Sequence, residues 1–325
     1  MSEGGAALGA RLRARDRSAA PDVLNLLEST APRDRLQARE LLRELSPAAL
    51  NGEAPGHIVG VTGPPGAGKS TLLSRLLAAW RRQGLSVAIL AVDPSSRSSG
   101  GSLLGDRARI EFDPADSDVF IRSTSTGEQL GGLSFATRAA AHALAAAFDV
   151  VVVETVGVGQ AETEVADVAD TVLVVVQPAS GDVLQFLKAG IMEIPDVLAV
   201  TKADLGAPAM RTRRDLLAAL RSLGPRGARS VVAISSLPPG EGIDELVAAL
   251  AEHRAALDLP ARRLAARREG ALADFAREHG EHGLRSLGGR RAVRALLAAQ
   301  HPARDSAALT DVLTGALQHA ARGRS

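Results

Sequence analysis

The chain contains no cysteine and no tyrosine. The first absence excludes disulfide frameworks, cysteine-based metal sites and thiol nucleophiles. The second, with aromatic residues at 2% of the sequence, argues against a surface on which nucleic-acid bases stack. An excess of either charge is also missing. The 38 basic and 37 acidic residues leave +1, so no electrostatic argument for nucleic acid arises. No apolar run approaches the ~18 residues of a membrane span. Met1-Ser2-Glu3-Gly4-Gly5 lacks the charged-then-apolar order of a secretory signal. Residues 8–19 have the Arg/Ala bias of a transit peptide, but Glu3 and Asp16 oppose that reading. The expectation is a cytoplasmic protein with neither membrane nor nucleic acid as partner.

Lysine is scarce as well. It occurs only at Lys69, Lys188 and Lys202, so arginine supplies the other 35 of the 38 basic residues. Codon bias toward Arg and Ala accounts for the imbalance. A chain that writes arginine wherever charge suffices still marks its surviving lysines as places where a compact ammonium is useful.

What is present is a chain of 325 residues, 46% hydrophobic, long enough for one large or two modest globular domains. Three zones follow from its patterning. Residues 1–55 carry Arg/Glu-rich helical patterns punctuated by Pro21, Pro32 and Pro47. Within them Leu36, Leu41, Leu42 and Leu45 repeat at helical spacing, and the turn-rich Asn51–Gly56 segment closes the zone. Residues 56–258 alternate strand-like runs (58–61, 87–92, 150–153, 172–176, 197–200 and 231–234) with helical stretches such as 70–83, 132–147 and 209–222. Continuous β-branched runs predict strands buried on both faces, hence a mostly parallel sheet covered by helices. Residues 259–325 contain no strand-like run and predict two or three helices, broken near Gly288-Gly289 and His301-Pro302. Leu264, Ala265, Ala271, Leu272 and Phe275 lie roughly on one face of the first. Packing and an oligomer interface are both open readings of this layer. The fold expected is α/β: a mostly parallel central sheet covered by helices, with N-terminal and C-terminal helical extensions.

Gly63-Pro64-Pro65-Gly66-Ala67-Gly68-Lys69-Ser70 satisfies G-x-x-x-x-G-K-S/T between a strand and a helix, the context that motif requires. Its glycines let backbone N–H groups converge on phosphate oxygens, and the following helix adds its N-terminal dipole. Lys69 is expected on the β- and γ-phosphates, Ser70 on Mg²⁺ and Thr71 near the α-phosphate. Thr201-Lys202-Ala203-Asp204 follows a later strand and resembles the guanine-specificity motif N-K-x-D. Asp204 would accept from guanine N1–H and the exocyclic amine, while Thr201 stands in for Asn and weakens one contact. Lys202 would lie along the base and brace the phosphate loop. Ser235-Ser236-Leu237 resembles the loop whose backbone contacts guanine. Asp93, Asp106 and Glu154 are candidate acids for Mg²⁺ or for the attacking water, because carboxylates at the carboxyl ends of parallel strands face the ligand crevice. Seven histidines are scattered. His279 and His282, at i, i+3, read as a surface helix end rather than a metal site.

Together GPPGAGKST (63–71), AVDPSSRSSGGSLLGD (91–106), VVETVGVGQAE (152–162), GIMEIPDV (190–197) and TKAD (201–204) resemble the MeaB/MMAA family, also labelled ArgK-type, of G3E P-loop GTPases. The resemblance spans essentially residues 20–320. It implies a GTPase that acts as chaperone for an adenosylcobalamin-dependent acyl-CoA mutase, chiefly methylmalonyl-CoA mutase. Such a chaperone gates cofactor loading and protects or rescues the mutase. The resemblance also implies GTP as substrate, Mg²⁺ as cofactor, and a homodimer formed through the C-terminal helices. Residues Gln177–Met192 resemble a switch that carries Lys188 toward the nucleotide, where it would stabilise charge on the transferring phosphoryl. The chain departs from the family at Arg107, commonly Lys, and at residues 122–130 (RSTSTGEQL), which lack the usual prolines. The competing readings are a nickel metallochaperone GTPase, for which the absence of cysteine is unfavourable, a kinase, and a nucleotide-dependent binding module.

Overall fold

The computed structural model describes residues 3–93, 110–125, 133–155, 164–178, 195–222, 230–236 and 240–322, with the side chains of Asp93, Ser125 and Ser222 set aside. The candidate residues Asp106, Lys188 and Leu237 lie outside them, as does the side chain of Asp93. The chain divides into two compact units, Gly56–Thr137 with Phe148–Leu257, and Met1–Pro55 with Arg138–Ala147 and Asp258–Ser325.

The first unit is built on seven parallel strands: β1 His57–Thr62, β2 Val87–Asp93, β3 Val119–Ser125, β4 Val150–Thr155, β5 Thr171–Val176, β6 Val197–Val200 and β7 Ser230–Ala233. Their order across the sheet is β3-β2-β4-β1-β5-β6-β7. All six pairings are parallel. Every residue of β4, β5 and β6 is buried, which is why these strands read as unbroken apolar runs instead of alternating ones. On one face α5 (Lys69–Arg82) and α8 (Ile243–Ala256) cover a core that includes Val59, Val61, Leu72, Leu76, Trp80, Ile89, Val152 and Leu246. On the other, α7 (Ala207–Ser222) packs on β6 and β7.

Strand β3 has no counterpart among the apolar runs of the sequence, and Arg122–Ser125, taken there as part of an unusual loop, are its second half. Only Ile121 and Thr124 among its described side chains are buried, because β3 is an edge strand with one neighbour. Its start is fixed from α5. Arg81 donates to Asp116 at 2.7 Å and to Asp118 at 3.1 Å, and the hydrogen bond from Arg81 holds the Asp116 carboxyl below its ordinary range. The Asp118 carbonyl then accepts from Val87 N–H at 2.9 Å, setting the register of β3 on β2.

The second unit is helical among the described residues. It comprises α1 (Gly5–Arg13), α2 (Ala20–Glu28), α3 (Pro32–Glu44), α4 (Pro47–Leu50), α9 (Leu259–Ser286), α10 (Gly289–Ala298) and α11 (Ser306–Arg322), with Arg138–Leu144 of α6 (Phe135–Leu144). Helix α9 kinks at Gly280, where φ is +64°. Leu272, Phe275, Leu284, Val293, Leu297, Leu309 and Leu313 form one core across α9, α10 and α11. Two expected faces differ from the sequence reading. Leu36 is 61% exposed while Leu41 and Leu42 are buried. On α9, Ala271, Leu272 and Phe275 are buried as the spacing predicts, but Ala265 is exposed and Arg263 and Arg267 are buried as well. Each buried arginine has its partners. Arg263 donates to the Ala54 carbonyl at 2.6 Å. Arg267 grips Glu53 with two bonds of 2.8 and 2.9 Å and the Pro302 carbonyl at 3.0 Å. Arg138 pairs with Asp274 on α9.

Removing one partner of a buried pair leaves the other charge stranded and costs about 3–5 kcal/mol. Arg267→Ala is expected to lower the unfolding free energy of the helical unit on that scale in urea titrations. Arg294→Ala breaks the exposed pair with Glu269 and is expected to change it by less than about 1 kcal/mol.

Candidate functional site

Strand β1 runs between β4 and β5, so the loop leaving its carboxyl end emerges at the centre of the sheet, where open α/β sheets hold ligands. The sequence of that loop follows from its surroundings. Gly63 has φ +146°, and a Cβ there would lie 2.1 Å from the Val175 carbonyl oxygen. No other residue fits so close to β5. Gly66 and Gly68 also hold positive φ, +79° and +86°, and Gly68 caps α5. The loop thus brings Lys69 and Ser70 into the first turn of α5, with its free N–H groups and favourable dipole.

Lys69 is buried, and its Nζ donates to the carbonyls of Gly63 at 2.6 Å and Pro64 at 3.2 Å. The ammonium therefore sits at the mouth of the loop. Ser70 Oγ donates to Glu154 Oε1 at 3.3 Å. Glu154 pairs in register with Val61 of β1 and Ala91 of β2, which puts its buried carboxylate beside the phosphate loop. The backbone of Asp93 ends β2 one step beyond Val92, the partner of Thr155. Among the described residues no group of three or more His, Asp or Glu forms a metal cluster. The Ser70 hydroxyl and Glu154 carboxylate nevertheless make a hard-oxygen pair of the kind Mg²⁺ takes alongside phosphate oxygens and water.

The candidate base-side residues follow β6 and β7, at the same carboxyl edge of the parallel sheet as the phosphate loop. Thr201 is buried, and its hydroxyl donates to the Ala67 carbonyl at 2.7 Å and lies 3.1 Å from the Val176 carbonyl. Lys202 Nζ donates to Gln177 Oε1 at 2.5 Å, and Thr201 makes a tie to the phosphate loop. Thr201 reaches that carbonyl from the end of β6 with its short side chain. Lys202 adopts a left-handed conformation, φ +54°, and Ala203 N–H donates to the Ile234 carbonyl at 2.9 Å. This turn leaves Asp204 exposed and within 3.4 Å of the Ser235 hydroxyl. Ser235 in turn exchanges two 3.1 Å backbone bonds with Glu241. Gly242, φ +76°, closes that small loop where a Cβ would lie 2.1 Å from the Ala233 carbonyl oxygen. Pro64, Pro65, Gly66 and Ala67 lie in the loop between β1 and α5, Thr71 lies in the first turn of α5, and Ser236 follows Ser235. Gln177, known from the sequence only as the start of the candidate switch, is brought to Lys202 by the β5–β6 pairing.

Thr201→Val keeps shape and volume but removes both hydroxyl contacts and leaves the Ala67 carbonyl without that donor. It is expected to weaken guanine-nucleotide binding about tenfold, with Thr201→Ser restoring it, as measured by equilibrium binding.

A family model described as methylmalonyl-CoA mutase-associated GTPase MeaB matches residues 20–284. A protein of Pyrococcus abyssi named as a GTPase is 44% identical over 252 residues, 76% of this chain and 75% of its own length. A mycobacterial relative from Mycobacterium tuberculosis, also named as a GTPase, is 42% identical over 255 residues, 77% of this chain and 75% of its own. The mouse protein named methylmalonic aciduria type A homolog, mitochondrial, is 38% identical over 241 residues, 71% of this chain and 58% of that protein. A crystal structure titled as LAO/AO transport system kinase superposes with a TM-score of 0.65 at 29% identity, covering 97% of both chains. The chain therefore belongs to the MeaB family of methylmalonyl-CoA mutase-associated P-loop GTPases, enzymes that hydrolyse GTP.

Proposed function

We propose that this GTPase is a chaperone that gates cofactor loading of an adenosylcobalamin-dependent acyl-CoA mutase, methylmalonyl-CoA mutase first, and protects or reactivates it. The observation that carries this reading is the extent of the family match. It runs from residue 20 to residue 284, well outside the phosphate and base loops and into the helices before and after them. The mutase-associated kinship therefore concerns the helical unit as well as the nucleotide site. We assign residues 1–55 as an N-terminal helical extension, 56–258 as the GTPase domain and 259–325 as the region through which two copies dimerise. No helix among the described residues is long and apolar enough to cross a membrane, and we place the protein in the cytoplasm.

In the proposed site the N–H groups of residues 63–71 cradle the phosphates. The Lys69 ammonium leaves the loop carbonyls for the β- and γ-phosphate oxygens. Ser70 and Glu154, with Asp93 and Asp106, would hold Mg²⁺, which would supply charge neutralisation at the phosphates. Asp204 accepts from guanine, Thr201 and Lys202 frame that subsite, and the Ser235–Leu237 backbone lies along the base edge. Hydrolysis forms a bond from water oxygen to the γ-phosphorus and breaks the bond to the β,γ-bridging oxygen, releasing GDP, phosphate and a proton. One of the acids orients that water. Lys188, carried by the segment after Gln177, would stabilise charge on the transferring phosphoryl once the mutase is bound.

Two measurements test this. Asp204→Asn loses one acceptor for the guanine N1–H and amine pair and is expected to weaken GTP by about 2–4 kcal/mol relative to other purine nucleotides. An unchanged guanine preference would overturn the base assignment. GTP turnover is expected to rise on adding the mutase, and in Lys188→Ala the rise should disappear while unstimulated turnover persists. No stimulation and no complex with any such mutase would overturn the chaperone reading. Transfer of labelled phosphate to an acceptor other than water would favour a kinase.

A further inference from the structure

One long-range hydrogen bond joins the phosphate-binding helix directly to the base loop. Arg75 Nε donates to the Ser236 carbonyl at 3.2 Å, two loci 161 residues apart in the chain. Arg75 stands four residues after Thr71 on α5, so the two share one face of the helix, one turn apart. Both are exposed on it. The helix that presents Lys69 and Ser70 to the phosphates thus also grips the loop that lies along the base.

Among the described residues the base loop is also held at its root. Ser235 and Glu241 close it with two backbone bonds, and Gly242 seats that closure against Ala233. Ser236 is the first residue beyond the root. Its carbonyl belongs to a planar peptide unit, so holding that oxygen sets the orientation of the whole plane. A guanine nucleotide with its phosphates on the start of α5 and its base on residues 235–237 bridges the same two elements that Arg75 already bridges. Arginine suits the task because its donors are fixed in one plane and its charge cannot titrate away. Nothing in the motif spacing marks Arg75, which is one of 35 arginines in the sequence.

We propose that Arg75 is a positioning residue for guanine recognition, holding the base loop at the height above the phosphate loop that a bound guanine nucleotide requires. The inference rests on the assignment of the base subsite to Asp204 and Ser235–Leu237. It differs from that assignment in that Arg75 touches no part of the nucleotide and acts through the Ser236 carbonyl.

The test uses the full chain with Mg²⁺ and displacement of a fluorescent guanine nucleotide by GDP and by ADP. Arg75→Ala is expected to weaken GDP about three- to tenfold, the worth of one hydrogen bond, and to leave ADP unchanged, so the GDP/ADP preference falls by the same factor. Arg75→Lys, which can still donate to the carbonyl, is expected to recover part of the preference. The thermal midpoint of the nucleotide-free protein is measured alongside, and the preference ratio decides the matter whatever that midpoint does. An unchanged GDP affinity, or an equal loss for GDP and ADP, overturns the role of Arg75. Asp204→Asn measured in parallel separates the two levels. If it abolishes the preference while Arg75→Ala does not, the base assignment stands and the positioning role falls. If Asp204→Asn leaves the preference intact, the base assignment itself falls and the Arg75 proposal falls with it.

Discussion

The backbone turn at Gly63 is the constraint on which the nucleotide site depends. β1 ends so near β5 that a side chain at Gly63 would overlap the Val175 carbonyl. That closeness lets the following loop fold back over the sheet, place its carbonyls around the Lys69 ammonium and deliver Ser70 to Glu154. It also brings the Ala67 carbonyl within reach of Thr201, the residue just after β6, the next strand but one from β1. Phosphate loop, metal-side acid and base-side turn are therefore parts of one packed arrangement. Each strand beside β1 contributes one wall of it.

In the helical unit the corresponding constraint is charge placed inside. Arg263, Arg267 and Arg138 are all buried, and they end on a carbonyl, a carboxylate with a carbonyl, and a carboxylate. Such pairs add little net stability, because desolvation offsets the attraction, but they tolerate few alternative partners. Two of them hold Glu53 and Ala54, the end of the N-terminal zone, against α9. The turn-rich segment that ends the first helical zone is thereby tied into the helical unit through Glu53 and Ala54. An arginine bias in the composition has been turned to structural use.

Most of the sheet was legible because parallel strands covered on both faces must be apolar at every position, and the runs at β1, β2, β4, β5, β6 and β7 are so. The missing strand, β3, lies at one edge of the sheet with only Ile121 and Thr124 buried among its described side chains, so its sequence carries no continuous apolar run. The inward arginines of α9 were hidden for a related reason. Periodicity marks apolar faces, and a charged residue can occupy such a face when a distant partner neutralises it. The phosphate loop was fully legible, since its chemistry needs particular residues at consecutive positions. Lysine scarcity pointed the same way for Lys69, whose ammonium the structure holds on the phosphate-loop carbonyls.

By itself the sequence determined the strand-and-helix alternation and the phosphate loop, and it marked the candidate base-side turn, because each is encoded by neighbours along the chain. The tertiary structure alone decided what joins them. Thr201 was legible as a departure from asparagine, but its tie to Ala67 spans 134 residues. Glu154 was one candidate acid among three until the β1–β4 register put it beside Ser70. Arg75 and Arg267 were two arginines among many. Their roles lie in partners that only folding brings within hydrogen-bonding distance, and spacing along a chain carries no trace of such contacts.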